Sequence, residues 1–309
     1  MSIVRVYKST DPGAPPHPSA LRGSMAALLR ACLVVGYGSG GDAKAPAGWE
    51  EPFTESGNYA VFRALTGVRQ FYQVDDNQAD ADVTAVRAFE SMSDVITGSG
   101  QWVLNADIYR YFGKRQNATD AYSTSWLVVA DEVTCWVFLN GQYGLIPFGF
   151  GEFQSYRDDN PYRSFFAGHG AASGLPAGSH SPLISMNYVV TTTAGGVYLH
   201  RGWDYVSRVN AAPVPAYAIN SAFGGGAFLA ANAYPGINYA VIPVEIGGGN
   251  FPAPYGHLRG LYAPVANRPK SHLEQFSHDG KTFLAVNFAL TTPLGYWGQY
   301  WIDITGSWA

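Results

Sequence analysis

The sequence predicts a mainly β protein, an antiparallel β-sandwich or barrel-like fold with one N-terminal α-helix and long Gly/Pro-rich loops. The first observation is composition: of 309 residues only 14% are charged, whereas 15% are aromatic, and there are 36 Gly and 19 Pro. Such a balance is typical of a loop-rich β fold. Secondly, short β-rich runs bounded by turn residues recur between residues 58 and 304. Thirdly, helical spacing is convincing only at residues 19–35.

The sequence predicts that residues 1–18 form an extended arm. Residues 19–309 are predicted to form a single large β-rich domain. An alternating run at residues 3–7 is followed by a Pro-rich piece, which excludes helix and central strand. An arm of this kind either reaches onto a neighbouring subunit or stays a loose terminus. Its apolar residues are therefore interface candidates: Ile3, Val4, Val6 and Tyr7.

The one predicted helix covers residues 19–35 and is expected to pack on the sheet. Its apolar stripe comprises Leu21, Met25, Leu28, Leu29, Cys32 and Val35. Ser19 is expected to cap this helix and Gly36 to end it. Residues 36–41 match G-x-G-x-x-G, but they follow a helix, whereas a dinucleotide-binding loop follows a strand. We interpret them as a helix stop and a flexible link.

A hairpin at residues 126–139 is predicted to lie at the centre of the fold. Its two β-rich runs, 126–130 and 133–139, are separated by only two acidic residues, which is hairpin spacing. Alternation places Trp136 and Phe138 on the opposite face from Val133, Cys135, Val137 and Leu139. Because both faces are apolar, both must be covered, by a second layer or by another subunit. Trp136 and Phe138 are therefore further interface candidates.

The remaining strands and one long insertion complete the expected fold. Strands are predicted at residues 59–65, 68–74, 83–92, 146–153, 164–167, 197–201, 239–246, 257–264, 282–289 and 300–304. Phe and Gly alternate at residues 146–153, which indicates close backbone approach or bulges. Residues 168–232 are predicted to form a loop-rich insertion that faces outward.

The carboxylates give no sign of catalysis. Adjacent pairs occur as Asp75-Asp76, Asp131-Glu132 and Asp158-Asp159, where turn chemistry explains them. Neighbours on a strand point to opposite faces and make a poor acid–base pair. The patterns HExxH, GxSxG and the P-loop are also missing from the sequence. We therefore predict no enzymatic activity and no cofactor.

Two stretches could hold a metal ion, and neither is expected to do so. Residues 75–82 carry four Asp and Asn77, but EF-hand spacing is missing, so a solvated loop is expected. His272 and His278 flank Glu274 across a predicted surface turn.

Charge and cysteine usage restrict the class of partner. The formal net charge is −4 without a basic tract, which argues against nucleic-acid binding. No apolar run approaches the roughly 18 residues of a transmembrane helix, and we expect no export signal. Cys32 and Cys135 lie in apolar segments, so we expect buried free thiols made in a reducing compartment. Few charges and many aromatic residues are typical of large interfaces, although carbohydrate-binding β proteins share this composition.

A succession of segments carries a resemblance to a known family. The segments are 21–38 (LRGSMAALLRACLVVGYG), 48–50 (GWE), 58–63 (NYAVFR), 89–95 (FESMSDV), 97–100 (TGSG), 126–136 (WLVVADEVTCW), 148–153 (FGFGEF), 155–156 (SY) with Asp158, 257–264 (HLRGLYAP) and 306–308 (GSW). In this order they resemble a family of tailed-bacteriophage virion proteins, and residues 168–232 resemble it least.

The resemblance implies a structural component of a tailed-phage particle, in the tail, collar, neck or baseplate. It implies a homo-oligomer that contacts other virion proteins, assembled in the bacterial cytoplasm and located in the virion, and it brings no catalytic residues. The first alternative is a receptor- or glycan-binding module that exposes Trp203, Tyr205 or Trp297 to a host surface glycan. The second is a tail-associated glycan hydrolase, which requires two distant carboxylates to converge in a cleft.

Overall fold

The computed structural model describes residues 3–18, 21–53, 58–79, 81–105, 110–114, 125–141, 144–168, 197–202, 204–206, 208–213, 241–247, 255–264, 270–287 and 299–308. The chain is mainly β, with 47% strand and 9% helix, three antiparallel sheets and a single short helix near the N-terminus. This confirms the predicted fold class. Residues 169–196 and 214–240, which make up most of the predicted insertion, lie outside the described residues.

The described residues contain nineteen strands and three short helical segments. The strands are β1 Arg5–Lys8, β2 Trp49–Glu50, β3 Tyr59–Ala64, β4 Phe71–Asp75, β5 Val83–Met92, β6 Gly98–Val103, β7 Tyr111–Gly113, β8 Trp126–Ala130, β9 Thr134–Gly141, β10 Gly144–Glu152, β11 Gln154–Ser155, β12 Ser164–Ala167, β13 Val197–Leu199, β14 Val209–Pro213, β15 Val241–Gly247, β16 Gly256–Pro264, β17 Gln275–His278, β18 Lys281–Asn287 and β19 Gln299–Asp303. The helical segments are α1 Ser24–Arg30, a π-helical turn Ala31–Val35 and a 3-10 turn Gly40–Asp42.

The three sheets share a simple connectivity. The front sheet has the order β2-β3-β4-β5-β6, with β7 pairing beside β6 on β5. The middle sheet has the order β1-β8-β9-β10-β12-β13-β14, and the back sheet continues as β14-β15-β16-β19-β18-β17, with β11 on β16. Strand β14 passes from one sheet to the other, because it pairs with β13 through its first residues and with β15 through Ala212 and Pro213.

The sheets stack in three layers with the middle sheet covered on both faces. One core lies between the front and middle sheets and includes α1 together with Val133, Cys135, Val137 and Leu139. A second core lies between the middle and back sheets and includes Trp136 and Phe138. Alternation along β9 therefore divides its side chains as predicted, and the expected central position of the hairpin is confirmed. Both covering layers come from the same chain.

The helix ends where predicted but begins later. Gly36, at φ +84°, follows the last helical residue, which confirms the predicted stop. The helix begins at Ser24 because Gly23 before it takes a left-handed conformation, and the expected cap, Ser19, lies outside the described residues. Of the predicted stripe, Leu21 and Val35 are 67% exposed.

A π-helical turn explains the exposure of Val35. The Gly36 N–H donates to the Ala31 carbonyl oxygen five residues earlier, at 2.8 Å, so this turn holds more residues than an α-helical one. The wider turn places Leu33 in the core in place of Val35. The other four predicted members of the stripe are fully buried: Met25, Leu28, Leu29 and Cys32.

The Phe-Gly alternation on β10 reflects close approach to β9, as predicted. A Cβ added at Gly149 would lie 2.3 Å from the Trp136 ring. Gly151, at φ +128°, would bring a Cβ to 2.2 Å from the Val133 carbonyl oxygen. The two phenylalanines that alternate with these glycines, Phe148 and Phe150, are fully buried on the opposite face.

The N-terminal arm is extended, but it lies on its own chain. Strand β1 forms the edge of the middle sheet, with Arg5 opposite Ala130 and Lys8 opposite Leu127. The Trp126 Nε1 donates to the Pro15 carbonyl oxygen at 3.0 Å, and the Val4 N–H donates to the Gly306 carbonyl oxygen at 2.8 Å. An exposed edge at β8 needs hydrogen-bond partners, and the arm supplies them. No helix in the described part of the chain is long and apolar enough to cross a lipid bilayer.

Candidate functional site

Of the four interface candidates in the arm, only Ile3 presents much surface. Ile3 is 59% exposed, whereas Tyr7 is 1% exposed. The Tyr7 hydroxyl donates to the Ala45 carbonyl oxygen at 2.8 Å, and its ring belongs to the core between front and middle sheets. Val4 and Val6 are half-buried and pack against the other core. The expected contact with a neighbouring subunit is therefore wrong for Tyr7, because its own chain covers it.

Trp136 and Phe138 are also wrong as interface candidates. Each is 1% exposed, and the back sheet packs over both. The Trp136 Nε1 donates to the Arg259 carbonyl oxygen of β16 at 2.9 Å, and its ring lies 5.3 Å from that of Phe165. The sequence left open whether a second layer or another subunit covers this face of the hairpin. In the structure a second layer, the back sheet, covers it.

The remaining candidates belong to the glycan-binding alternative. Trp203 and Trp297 lie outside the described residues. Tyr205 is described, half-buried, and takes φ +58°. Its ring lies 5.6 Å from that of Tyr162, and the Arg157 guanidinium lies 4.8 Å from its centroid. Tyr205 therefore belongs to a group of rings and charges.

We call this group, Glu90, Arg157, Tyr162, His200, Arg201 and Tyr205, the tyrosine–arginine cluster. It joins the front and middle sheets, because Glu90 on β5 accepts hydrogen bonds from His200 Nε2 at 2.7 Å and Arg201 Nη2 at 2.5 Å, both just beyond β13. The Arg201 guanidinium also lies 4.6 Å from the Tyr162 ring centroid and donates to the Tyr205 carbonyl oxygen at 2.9 Å. Geometry of this kind supports cation–π attraction in addition to the ion pair.

Burial and charge set the protonation states of the cluster. The hydrogen bond from Arg201, and then that from His200, lowers the pKa of Glu90. Burial lowers the pKa of His200, and the hydrogen bond with Glu90 opposes this. At neutral pH the imidazole is therefore neutral, with Nε2–H donating to Glu90 and the lone pair on Nδ1. The ring packs between Trp102 at 5.4 Å and Tyr162 at 5.2 Å.

A second group of polar residues is buried at the turn of the central hairpin. Asp131 is fully buried, and its Oδ1 accepts hydrogen bonds from the N–H groups of Val133 at 3.0 Å and Thr134 at 2.7 Å. Its Oδ2 accepts from Arg259 Nη2 at 2.7 Å, and its carbonyl oxygen accepts from Trp49 Nε1 at 2.7 Å. These local contacts between the Asp131 carboxylate and the backbone N–H groups two and three residues later are the means by which aspartate stabilises a turn.

The same group reaches the last described residues. Arg259 Nη2 also donates to the Trp308 carbonyl oxygen at 2.8 Å. Gly260, at φ +71°, lets the Trp308 ring approach, since an added Cβ would lie 2.2 Å from that ring. We call Trp49, Asp131, Trp136, Arg259 and Trp308 the Asp131 hub. It connects all three sheets.

Within the acidic stretch 75–82, Asp75 and Asp76 are buried and not solvated as expected, whereas Asn77 is exposed and Asp80 lies outside the described residues. Asp76 is fully buried and pairs with Lys114, which is also fully buried. Asp76 Oδ2 accepts the Met25 N–H at 2.8 Å, so this carboxylate holds the first turn of α1. Asp75 pairs with Arg87 at 2.6 Å. Because cations already bind these carboxylates, they offer no calcium site, and the described residues contain no group of three metal-ligating side chains.

The histidines around Glu274 do not converge either. Glu274 accepts from Lys270 at 2.8 Å and from the Ser271 N–H at 2.9 Å. Burial lowers the pKa of His272, whereas His278 lies beside Asp279 at 3.3 Å. The contacts of Glu274 hold the turn before β17.

Sequence reasoning missed the charged members of both groups. His200 and Glu90 are 110 residues apart, and Arg259 and Asp131 are 128 residues apart. No local pattern encodes such pairings. One usable signal was present: Glu90 and Asp131 carry charges within or beside apolar runs, where a charge must find a partner.

No known protein family and no curated protein matches the chain.

Proposed function

We propose that the chain is a structural component of a tailed-bacteriophage particle, in the tail, collar, neck or baseplate. It acts through oligomeric assembly with copies of itself and with other virion proteins. It is made in the bacterial cytoplasm, resides in the virion and catalyses no reaction.

The observation that carries this proposal is the position, in the fold, of the segments that resemble the phage virion family. Trp49, Asp131, Arg259 and Trp308 come from four different segments, and they meet in the Asp131 hub. Gly149 and Gly151, from the FGFGEF segment, allow β10 to pack against the same hairpin. The likeness therefore lies in residues that build this architecture. The step from shared architecture to a shared role is an analogy.

The chemistry of the buried carboxylates also supports a structural role. Asp76, Asp131 and Glu152 each pair with a cation and accept a backbone N–H. Each joins segments that are far apart in the sequence. Groups held in this way stabilise a fold and are poorly placed to exchange protons with a substrate.

The test measures the mass of the purified full chain and the number of copies of this chain in purified particles. We expect light scattering to give a closed oligomer and mass spectrometry to find several copies in each purified particle. A stable monomer that is absent from particles would contradict the proposal.

One substitution tests Ile3, the exposed interface candidate of the arm. Ile3→Glu is expected to weaken the oligomer, because a charge at an apolar contact must be desolvated. Ile96→Glu is the matched control, since Ile96 is 61% exposed at a position never predicted to be a contact. Equal effects of the two substitutions would remove Ile3 from the interface.

The tyrosine–arginine cluster favours one second function, a receptor- or glycan-binding module. Half-buried tyrosine rings beside arginine and carboxylate groups can pack against a sugar and bond its hydroxyls. In that case the full chain binds glycans on an array, and Tyr205→Ala weakens binding. Tyr59→Ala, at a half-buried tyrosine of the front sheet, leaves binding unchanged. If no glycan is bound, this alternative is excluded.

A further inference from the structure

Two arginines, Arg87 and Arg110, lie near Asp75 on the front sheet. Arg87 is on β5 opposite Gln73 of β4, and Arg110 immediately precedes β7, where β7 takes over from β6 beside β5. Arg110 is only 6% exposed. The topology thus brings two guanidinium groups to one place.

Several N–H groups of these arginines are accounted for. Arg110 Nε donates to the Asn105 carbonyl oxygen at 3.2 Å, and its Nη2 donates to the Tyr111 hydroxyl. Arg87 Nη2 donates to Asp75 Oδ2 at 2.6 Å. These bonds fix the orientation of both side chains.

Two donors remain. Arg110 Nη1 and Arg87 Nε are buried, and neither has a hydrogen-bond partner among the residues that the structure describes. A buried donor without an acceptor is unfavourable, and the cost is greater when the donor is charged. The pair therefore presents unmatched donors on adjacent cations.

The charges are also unbalanced. Burial lowers the pKa of Arg110; Tyr111 opposes this, and the positive charge of Arg87 lowers it further. In the described part of the chain, Asp75 is the only carboxylate that forms an ion pair with either arginine. Among the described residues, two cations against one anion leave a net charge of +1 at this place.

We propose that Arg87 and Arg110 form a binding site for a small carboxylate. A carboxylate has two oxygens, one for Arg110 Nη1 and one for Arg87 Nε, and guanidinium groups match its planar geometry. Its single negative charge neutralises the site, whereas a dianion such as phosphate leaves a net negative charge beside Asp75.

One internal rearrangement competes with this site. Gln73 Oε1 is also buried without a partner among the described residues, and Gln73 lies directly opposite Arg87. A rotation that pairs it with Arg87 Nε satisfies both atoms. It leaves Arg110 Nη1 and the net charge unmatched, so the requirement for an anion remains.

The test measures anion binding to the full chain by calorimetry and by thermal unfolding. Sodium acetate, phosphate and sulfate are each compared with sodium chloride at equal ionic strength. We expect acetate to raise the melting temperature saturably, because a ligand that binds only the folded state stabilises it. Chloride alone should not do so. If acetate has no effect beyond that of chloride, the proposal is wrong, and if only phosphate or sulfate binds, the carboxylate assignment is wrong.

Variants locate the site. Arg110→Gln is expected to weaken acetate binding at least about tenfold, since it removes a charge-assisted donor. Arg69→Gln is the control, because that arginine is exposed and pairs with Glu50. Arg87→Lys serves if Arg110→Gln fails to fold: it keeps the charge beside Asp75 but removes Nε–H, and it should also weaken binding. Unchanged acetate affinity in Arg110→Gln, or in Arg87→Lys where that variant is used, overturns the proposal.

Discussion

Asp131 shows how one residue can connect three layers of sheet. A buried carboxylate is tolerated only when its charge is paired and its oxygens are hydrogen-bonded. Asp131 meets both conditions, with Arg259 on one oxygen and two backbone N–H groups on the other. The loss of its charge should therefore affect the whole molecule.

We predict that Asp131→Asn destabilises the protein by about 3 kcal/mol or more, because it leaves the Arg259 guanidinium without its anion. Urea unfolding at neutral pH measures the change. Asp159→Asn is the matched control, since the pair with Arg157 is exposed and its loss should change stability little. Equal unfolding midpoints for Asp131→Asn and the wild type would refute this role.

The titration of His200, another single residue, predicts that the stability of the protein depends on pH. Its pKa in the folded protein is lowered from 6.5 by burial. Below about pH 6.5 the unfolded chain binds a proton that the folded chain does not, so stability falls as the pH falls. We therefore expect the urea midpoint of the wild type to decrease more between pH 7 and 5 than that of His200→Gln, which keeps a donor for Glu90.

Two other groups do not obscure this comparison. Burial also lowers the pKa of His272, but that residue is present in both proteins. The lowered pKa of Glu90 makes its contribution complete above about pH 4.5, and the loss occurs only below that value. Parallel pH curves for wild type and variant would show that His200 does not titrate as predicted.

At the scale of elements, β10 depends on the absence of side chains at two positions. Gly149→Ala is predicted to destabilise the protein by about 1–3 kcal/mol, because the new methyl group must displace the Trp136 ring. Gly41→Ala is the control, since an added Cβ there meets nothing within 4 Å. Thermal or urea unfolding measures both. A Gly149→Ala protein as stable as the control would mean that the two strands can separate slightly at no cost.

Most elements follow from local patterns, and the exceptions have physical reasons. The bounds of β5, β8 and β12 agree with the prediction because each run is apolar and ends at turn residues. The π-helical turn was not predicted, since nothing in the apolar spacing of residues 31–35 signals a wider turn. The edge strand β6 escaped prediction because Gly98, Ser99 and Gly100 lack strand propensity, and pairing with β5 decides their conformation.

The candidate sites were less predictable than the fold. Alternation showed that both faces of β9 are covered, but a pattern records burial and not the identity of the covering group. Trp136 and Phe138 were therefore assigned to an interface that the back sheet occupies. Tyr205 was a candidate, whereas its arginine partners were not, because stacking across loops leaves no local signature.

At the scale of the whole molecule, the two thiols report on the core between the front and middle sheets. Cys32 and Cys135 are buried and free, and burial raises the pKa of both thiols. We expect neither to react with a disulfide reagent in the native state, and both to react together as urea unfolds the chain. Ser99→Cys, at an exposed position of β6, gives the reference rate. Reaction of either native thiol at that rate would show that this core opens locally.

The contact between Val4 and Gly306 has a consequence for synthesis. The middle sheet can form its edge early, but the partners of Asp131 and Val4 emerge from the ribosome late; Arg259 follows Asp131 by 128 residues. At about 5–20 residues per second, synthesis of these later residues takes of the order of ten seconds. During that time the face of the hairpin that the back sheet later covers stays exposed. Translation that stopped before Gly306 would leave the Val4 N–H without the Gly306 carbonyl oxygen and Arg259 without the Trp308 carbonyl oxygen, so the shortened chain should be less stable than the full chain.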